Sequence, residues 1–388
     1  MNLILRGRLV TPRGILDDGA VVVDGTTIVW VGPAGGLPEA WTLPDPSDAT
    51  ILPGLVDLHC HGGGAASFPD AVDAVDAQRA VDEHRRHGTT SLVASLVTAP
   101  TDVLLERTAL LADLADAGEL VGIHLEGPFL SAERCGAQNP ADMRDGDPDL
   151  VRLVAETARG HLVTMTVAPE VPGADDVIAA LVDAGAVPSI GHTDASAEQV
   201  DEAVDRGFDL LAQRGNRRLT ATHLFNGMRP LHHRDPGPIA ACLAAAARGE
   251  LVVELVADGT HLADGTVRAV FDLVGPGSIA LVTDAMAAAG MPDGAYRLGP
   301  MEVTVADGVA RIADETGAIA GGVAHLLDVV RTVVAAGIPL EDAVLAAATT
   351  PADVLGRRDL GALAAGRRAD LVVTDDDLRP VRVLRGGA

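Results

Sequence analysis

ILPGLVDLHCH, residues 51–61, carries an apolar run of strand length into two histidines and then into glycines. Side chains two apart on a strand share a face, so His59 and His61 can point at one centre while Cys60 turns away between them. The arrangement recurs downstream. Glu126 ends the apolar part of VGIHLEGP (121–128), His192 closes VPSIGH (187–192), His223 lies in LTATHL (219–224), and Asp284 lies in IALVTDA (279–285). Each follows an apolar run and precedes a turn-rich segment, the mark of a strand ending at a loop. Imidazoles combined with a carboxylate are ligands for zinc or a similar divalent ion. The pattern is that of a hydrolytic metal site at the strand ends of a barrel.

Outward from these ends the chain alternates. Strand candidates are 54–58, 91–95, 120–125, 162–168, 186–190, 219–223, 251–256 and 279–283. Helical stretches such as ADDVIAALVDAG and SAEQVDEAVDRG lie between them and stop at glycine. This α/β alternation meets the count of a (β/α)8 TIM-like barrel, in which active residues come from C-terminal strand ends. A doubly wound sheet is the alternative, but ligands from four or more strand ends converge more readily on a closed barrel. The catalytic barrel is expected over 53–357. Residues 1–52 and 358–388 read as short antiparallel strands with Gly/Asp turns. Neither end can bury much surface alone, so the two are expected to pair into a composite small β-sandwich. Residues 293–314 read as a β-hairpin.

Composition narrows the chemistry. Hydrophobic residues make up 48% and aromatics 2%, so the core must be built from Val, Leu, Ile and Ala. A formal charge of −26 opposes binding to nucleic acid and to anionic membranes. All 29 basic residues are arginine, which excludes a Schiff-base lysine and a metal bridge made by a carboxylated lysine. Three cysteines without a CxxC motif argue for a reducing, cytoplasmic compartment. The N-terminal MNLILRGRLVTPRG lacks the apolar segment of a signal peptide, and no run of about 20 apolar residues suggests a membrane span.

Glu126, His192 and His223 form a carboxylate-plus-two-imidazole set with a fourth position open for water, and His59 and His61 can support a second ion. One ion or two is not written in the residue types. Zinc suits these donors first; iron, manganese or cobalt would also bind them. His124 shares a strand face with Glu126, either as a ligand or as an inner histidine hydrogen-bonding the metal ligands. Cys60 reads as a small buried hydrophobe, and Asp57 as a group turned to the other side to orient a backbone turn. Asp284 is placed for proton transfer between the attacking water and a leaving nitrogen, the alternative being a helix N-cap. In HLFNGMRPLHHRDPG (223–237), Asn226 and Gly227 begin a turn whose N–H groups suit an anion. Arg234 follows with the bidentate fork that suits phosphate, and His261 ends VELVADGTH. His84 and His87, beside Arg85 and Arg86, read as a solvated helix face.

These motifs, read together, resemble the N-acetylglucosamine-6-phosphate deacetylase family of the amidohydrolase superfamily. The match runs through PGLVDLHCHGG, GIHLEGPFLS, GAQNP, GHTDAS, THLFNGM, ELVADGTH, LVTDAM and TTPADVLG, essentially the whole chain. The resemblance implies a metal-dependent hydrolase of amino-sugar metabolism that releases acetate from N-acetyl-D-glucosamine 6-phosphate. It assigns Glu126, His192 and His223 to the principal metal and Asp284 to acid–base catalysis. It places Asn226, Gly227, Arg234 and His261 around the sugar phosphate, within a homodimer whose phosphate-reaching arginine and histidine come from the partner subunit. Three departures stand out. The family's GxHNP, whose histidine helps polarise the acetyl carbonyl, is GAQNP here, so Ala137 and Gln138 occupy a substrate-binding segment in which Gln138 can polarise by donating a hydrogen bond but cannot take a proton. Cys135 stands where a basic residue is common, on a candidate active-site loop, and AGS becomes AGG at Gly321 and Gly322. Deacetylation of the galacto epimer, nucleobase deamination and cyclic amide hydrolysis are the alternatives. A non-catalytic barrel is disfavoured because the ligands and Asp284 survive together.

Overall fold

The computed structural model describes residues 2–215, 218–314 and 317–388. Its central sheet has eight parallel strands: Leu55–Cys60, Thr89–Leu96, Gly122–Glu126, Leu162–Val167, Val187–Ile190, Leu219–Ala221, Leu251–Leu255 and Ile279–Leu281. Each pairs in parallel with its neighbour in the chain. The first and last strands meet where Asp284 N–H donates to the His59 carbonyl (2.9 Å) and His61 N–H donates to the Ala285 carbonyl (2.7 Å). Those bonds close the barrel, and they lie at the residues expected to do chemistry.

The crossover helices form for legible reasons. Ala197–Ala212 opens on a capping box between Ser196 and Gln199 and buries Val200, Ala203, Val204, Gly207 and Leu211. Pro148–Thr157 starts on an Asp147 cap with proline at its first turn. The core is aliphatic, with Phe68 and Phe129 the largest wholly buried side chains. Each fully buried Leu, Ile or Val contributes about 1.5–3 kcal/mol against exposure.

The chain ends do pair, in one mixed sheet of six strands. Its order is Pro380–Leu384, Leu371–Thr374, Thr50–Pro53, Leu3–Thr11, Gly14–Asp24, Thr27–Pro33. The free edge curls back to the C-terminal segment through Ile28 N–H to the Arg367 carbonyl (2.9 Å) and Ala369 N–H to the Thr26 carbonyl (2.8 Å). Leu9, Val21, Val23, Ile28, Ile51, Leu371 and Leu384 fill the space enclosed. Thr50–Pro53 passes through Gly54 alone into the first barrel strand. A Cβ at Gly54 would lie 2.1 Å from Thr90 Oγ1, so only glycine makes that joint.

The hairpin gains a third strand, giving Gly294–Leu298, Met301–Ala306 and Val309–Ile312. Asp307 and Gly308, both at positive φ, make the second turn, a geometry that suits the twist of paired strands. Among the described residues no helix is long and apolar enough to cross a membrane.

Candidate functional site

Five strand ends deliver a ring of buried side chains to one mouth of the barrel. Glu126 divides its carboxylate between two sides. Oε1 lies 2.9 Å from His192 Nε2 and 2.7 Å from His223 Nε2. Oε2 lies 3.1 Å from His61 Nε2 and 3.7 Å from His59 Nε2. Asp284 Oδ1 stands 3.4 Å from both His59 Nε2 and His61 Nε2. Two donor groups result, Glu126–His192–His223 and His59–His61–Asp284.

The outer nitrogens show why these rings aim inward. His61 Nδ1 meets the Ser95 carbonyl at 3.2 Å, His192 Nδ1 the Arg134 carbonyl at 2.7 Å, and His59 Nδ1 the Glu254 carboxylate at 3.1 Å. Each partner only accepts, so each Nδ1 carries the proton and each Nε2 turns toward the centre. His59 Nε2 and His61 Nε2 then face each other at 3.0 Å, an arrangement that needs positive charge between them. Burial would raise the Glu126 carboxyl, but His59 and His192 overcome it and hold the group well below the carboxylate range. Asp284 is likewise held low, with His59 and His61 outweighing burial. Burial would lower His59, His61 and His192, yet the two acids keep all three above the ordinary imidazole value. Two carboxylates held ionised among four imidazoles fit a divalent cation in donor type and spacing.

The backbone is strained at this mouth. His192 (φ 47°), His223 (φ 28°) and Asp284 (φ 47°) all occupy the left-handed region that non-glycine residues avoid. Gly227 packs so close to His192 that a Cβ there would lie 2.8 Å from Nδ1.

Residues 50–387 match the amidohydrolase family. The chain belongs to that family. Within it, the N-acetylglucosamine-6-phosphate deacetylase of Bacillus subtilis (strain 168) is 33% identical over 308 residues, covering 76% of this chain and 74% of that one. The human deacetylase of the same name is 33% identical over 339 residues, covering 84% and 80%. A mutant Mycobacterium smegmatis N-acetyl-D-glucosamine-6-phosphate deacetylase, solved in complex with N-acetyl-D-glucosamine 6-phosphate, superposes with a TM-score of 0.91 at 43% identity. That alignment covers 100% of this chain and 98% of the other. The Thermotoga maritima deacetylase gives a TM-score of 0.81 at 28% identity, covering 99% and 98%.

In this amidohydrolase a cavity of about 260 Å3 opens over the donor groups, lined also by Gly136, Ala137, Gln138, Asn226, Gly227 and His261 and by Leu298, Ala318, Ile319 and Gly321. Gly321, at φ 79°, approaches so closely that a Cβ would meet the Asp284 carbonyl at 2.8 Å, so AGG supplies a backbone wall. Asn226 donates its side-chain amide to the His223 carbonyl at 3.2 Å.

Several expectations change. Cys135 sits on the loop but does not line the cavity; its carbonyl accepts the Gln138 N–H at 2.9 Å. Arg234 also lies outside the cavity, exposed, and makes no ion pair among the described residues. His261 lines the cavity of its own chain. Its Nδ1 bonds Asp258 at 2.9 Å across one turn, and that bond turns the ring inward. His124 hydrogen-bonds no side chain of either donor group: its nitrogens meet Ser95 Oγ at 3.0 Å and Thr166 Oγ1 at 2.9 Å. Burial and neighbouring His59 keep it well below the ordinary imidazole value, hence neutral. Asp57 does turn away, accepting from the Thr283 hydroxyl at 2.6 Å. His84 is fully buried, with Nε2 2.9 Å from the Gly62 carbonyl and 3.2 Å from Cys60 Sγ, so the solvated-face expectation fails for it. Glu254 is the contributor that sequence reasoning missed, joining His59 Nδ1 to the His223 N–H (3.2 Å). Its signal was an acid inside the otherwise apolar strand LVVEL.

Proposed function

We infer that this chain is a metal-dependent deacetylase that converts N-acetyl-D-glucosamine 6-phosphate to D-glucosamine 6-phosphate and acetate. The observation that carries the reading is the convergence of Glu126, His192 and His223 with His59, His61 and Asp284 beneath one cavity. Similarity to deacetylases along nearly the whole chain supports it.

We assign Glu126, His192 and His223 as principal ligands, with His59 and His61 serving a second ion. Zinc is our choice of metal, and iron, manganese or cobalt would suit the same donors. When bound, such an ion polarises the acetyl carbonyl and activates the attacking water. The side chains do the rest. Asp284, ionised beside His59 and His61, takes the proton from water and passes it to the amide nitrogen as the C–N bond breaks. Asn226, Gly227 and His261 line the side where the sugar phosphate would sit.

A net charge of −26 repels a phosphate dianion unless a local cation inverts the field. On the resemblance to deacetylases, we assign exposed Arg234 to the pocket of a second copy in a cytoplasmic homodimer. The deciding assay measures acetate release from N-acetylglucosamine 6-phosphate, its galacto epimer and the neutral sugar. Fast release from the 6-phosphate alone supports the whole reading. Equal rates with and without phosphate overturn the phosphate site, and no acetate from any of the three overturns the activity.

A further inference from the structure

We propose that Gln138 is a positioning residue that holds Glu126 in a bridging posture and thereby sets how many ions the centre binds. The inference rests on the metal-centre reading above. Glu126 turns one oxygen to His192 and His223 and the other to His59 and His61. The terminal torsion of a glutamate is broad and roughly two-fold, so nothing intrinsic to the side chain keeps this division. A carboxylate free to turn can place both oxygens on the His192–His223 side and serve one ion as a bidentate ligand.

Gln138 prevents that rotation. Its carboxamide oxygen accepts the Thr98 N–H at 2.8 Å, which fixes the end of the amide that faces the centre. Its Nε2 is thereby committed to donating to Glu126 Oε2, at 2.6 Å. Both side chains are buried. A carboxylate oxygen has two lone pairs. Gln138 takes one on Oε2 and leaves the other directed toward His59 and His61. The loop carrying Gln138 also supplies the Arg134 carbonyl that orients His192. One loop between strands therefore fixes two members of the Glu126–His192–His223 group, one of them the carboxylate that also faces His59 and His61.

The test is metal stoichiometry and affinity, read by chelator competition with Co2+ and Zn2+ on the full-length protein. Gln138→Glu keeps an acceptor for Thr98 and removes the donor; Gln138→His keeps a donor. The wild type is expected to bind two ions. Gln138→Glu should retain the first and bind the second about 10–100-fold more weakly, the usual loss when a partner of a ligand is removed. Gln138→His should recover most of that loss, with unchanged thermal unfolding in all three proteins serving as the folding control. Two ions of unaltered affinity in Gln138→Glu overturn the proposal, as does equal weakening of both. A wild type that binds a single ion also overturns it, whereas a wild type that binds none overturns the metal-centre reading itself.

Discussion

Replacing His84 with glutamine is expected to flatten the acid limb of the stability curve by about 2 kcal/mol between pH 7 and pH 5. Burial, reinforced by nearby His325, pushes the His84 imidazole from its ordinary 6.5 down to about 4. In the unfolded chain the ring takes up a proton near 6.5, while in the folded protein it stays neutral until about 4. Between those values the unfolded state binds more protons, so stability falls as pH drops through the window. At pH 5 the linkage penalty is roughly 2 kcal/mol and at pH 7 roughly 0.2 kcal/mol, from the ratio of the two binding polynomials. Glutamine retains a donor for the Gly62 carbonyl and cannot titrate, so the variant escapes the penalty. Urea unfolding of both proteins at pH 7, 6 and 5, at matched metal loading, supplies the comparison. Glu126 and Asp284, also held low, lose stabilisation in the same direction, so only the difference between wild type and variant is diagnostic. Parallel curves would mean that His84 carries no proton-linked penalty and would refute the account of a buried neutral ring.

Asp284→Asn should retain the principal ion and substrate affinity while losing about 10²–10⁴-fold in kcat, because an amide cannot relay the proton; near-normal turnover would reduce Asp284 to a structural role. Arg234→Ala should lower kcat/KM for the phosphorylated sugar by about 10–100-fold, from roughly 1.5–3 kcal/mol for a charge-assisted contact, and leave the neutral sugar untouched. Mixing impaired Arg234→Ala with Asp284→Asn subunits should raise activity on the phosphorylated sugar above the sum of the two alone if the phosphate contact crosses the dimer. Gly227→Ala should lower both the melting temperature and the metal content, since its Cβ would fall 2.8 Å from His192 Nδ1 at φ 60°; unchanged metal content would show that His192 tolerates the displacement.

The strand ends were legible because two signals coincide there, a period-two or apolar run and an abrupt Gly, Pro or Asp turn. His59, Glu126 and His192 carry both at once, whereas the turn residues after His223 and Asp284 stand further on, at Asn226–Gly227 and Gly290. What escaped depended on contacts distant in sequence, or on a local signal read too coarsely. His84 sits in HRRH, which looks solvated, yet Ala77, Ala80, Val81 and His84 share the buried stripe of the helix Ala74–Arg86. The 3.6-residue period outranks the charge of adjacent residues. Gln138 stood out as a substitution, but its partners lie 12 and 40 residues away, and no spacing rule reaches that far. His261 faces inward because of Asp258, a local bond whose direction only the folded turn reveals. The end sheet was foreseeable from two fragments too small to fold alone, though its curled single-sheet form depends on the pairing of Thr27 with Arg368.

The left-handed backbone at His192, His223 and Asp284 sets a conflict between durability and catalysis. Each such residue stores on the order of 1–3 kcal/mol that the surrounding barrel must overcome. Glycine at any of the three positions would relax the chain and remove a group from the centre in the same step. Selection for heat resistance alone would therefore erode this mouth first. An engineer seeking a tougher catalyst would do better at the opposite pole of the molecule, in the turns and edges of the end sheet, where stabilising changes do not touch the strained strand ends.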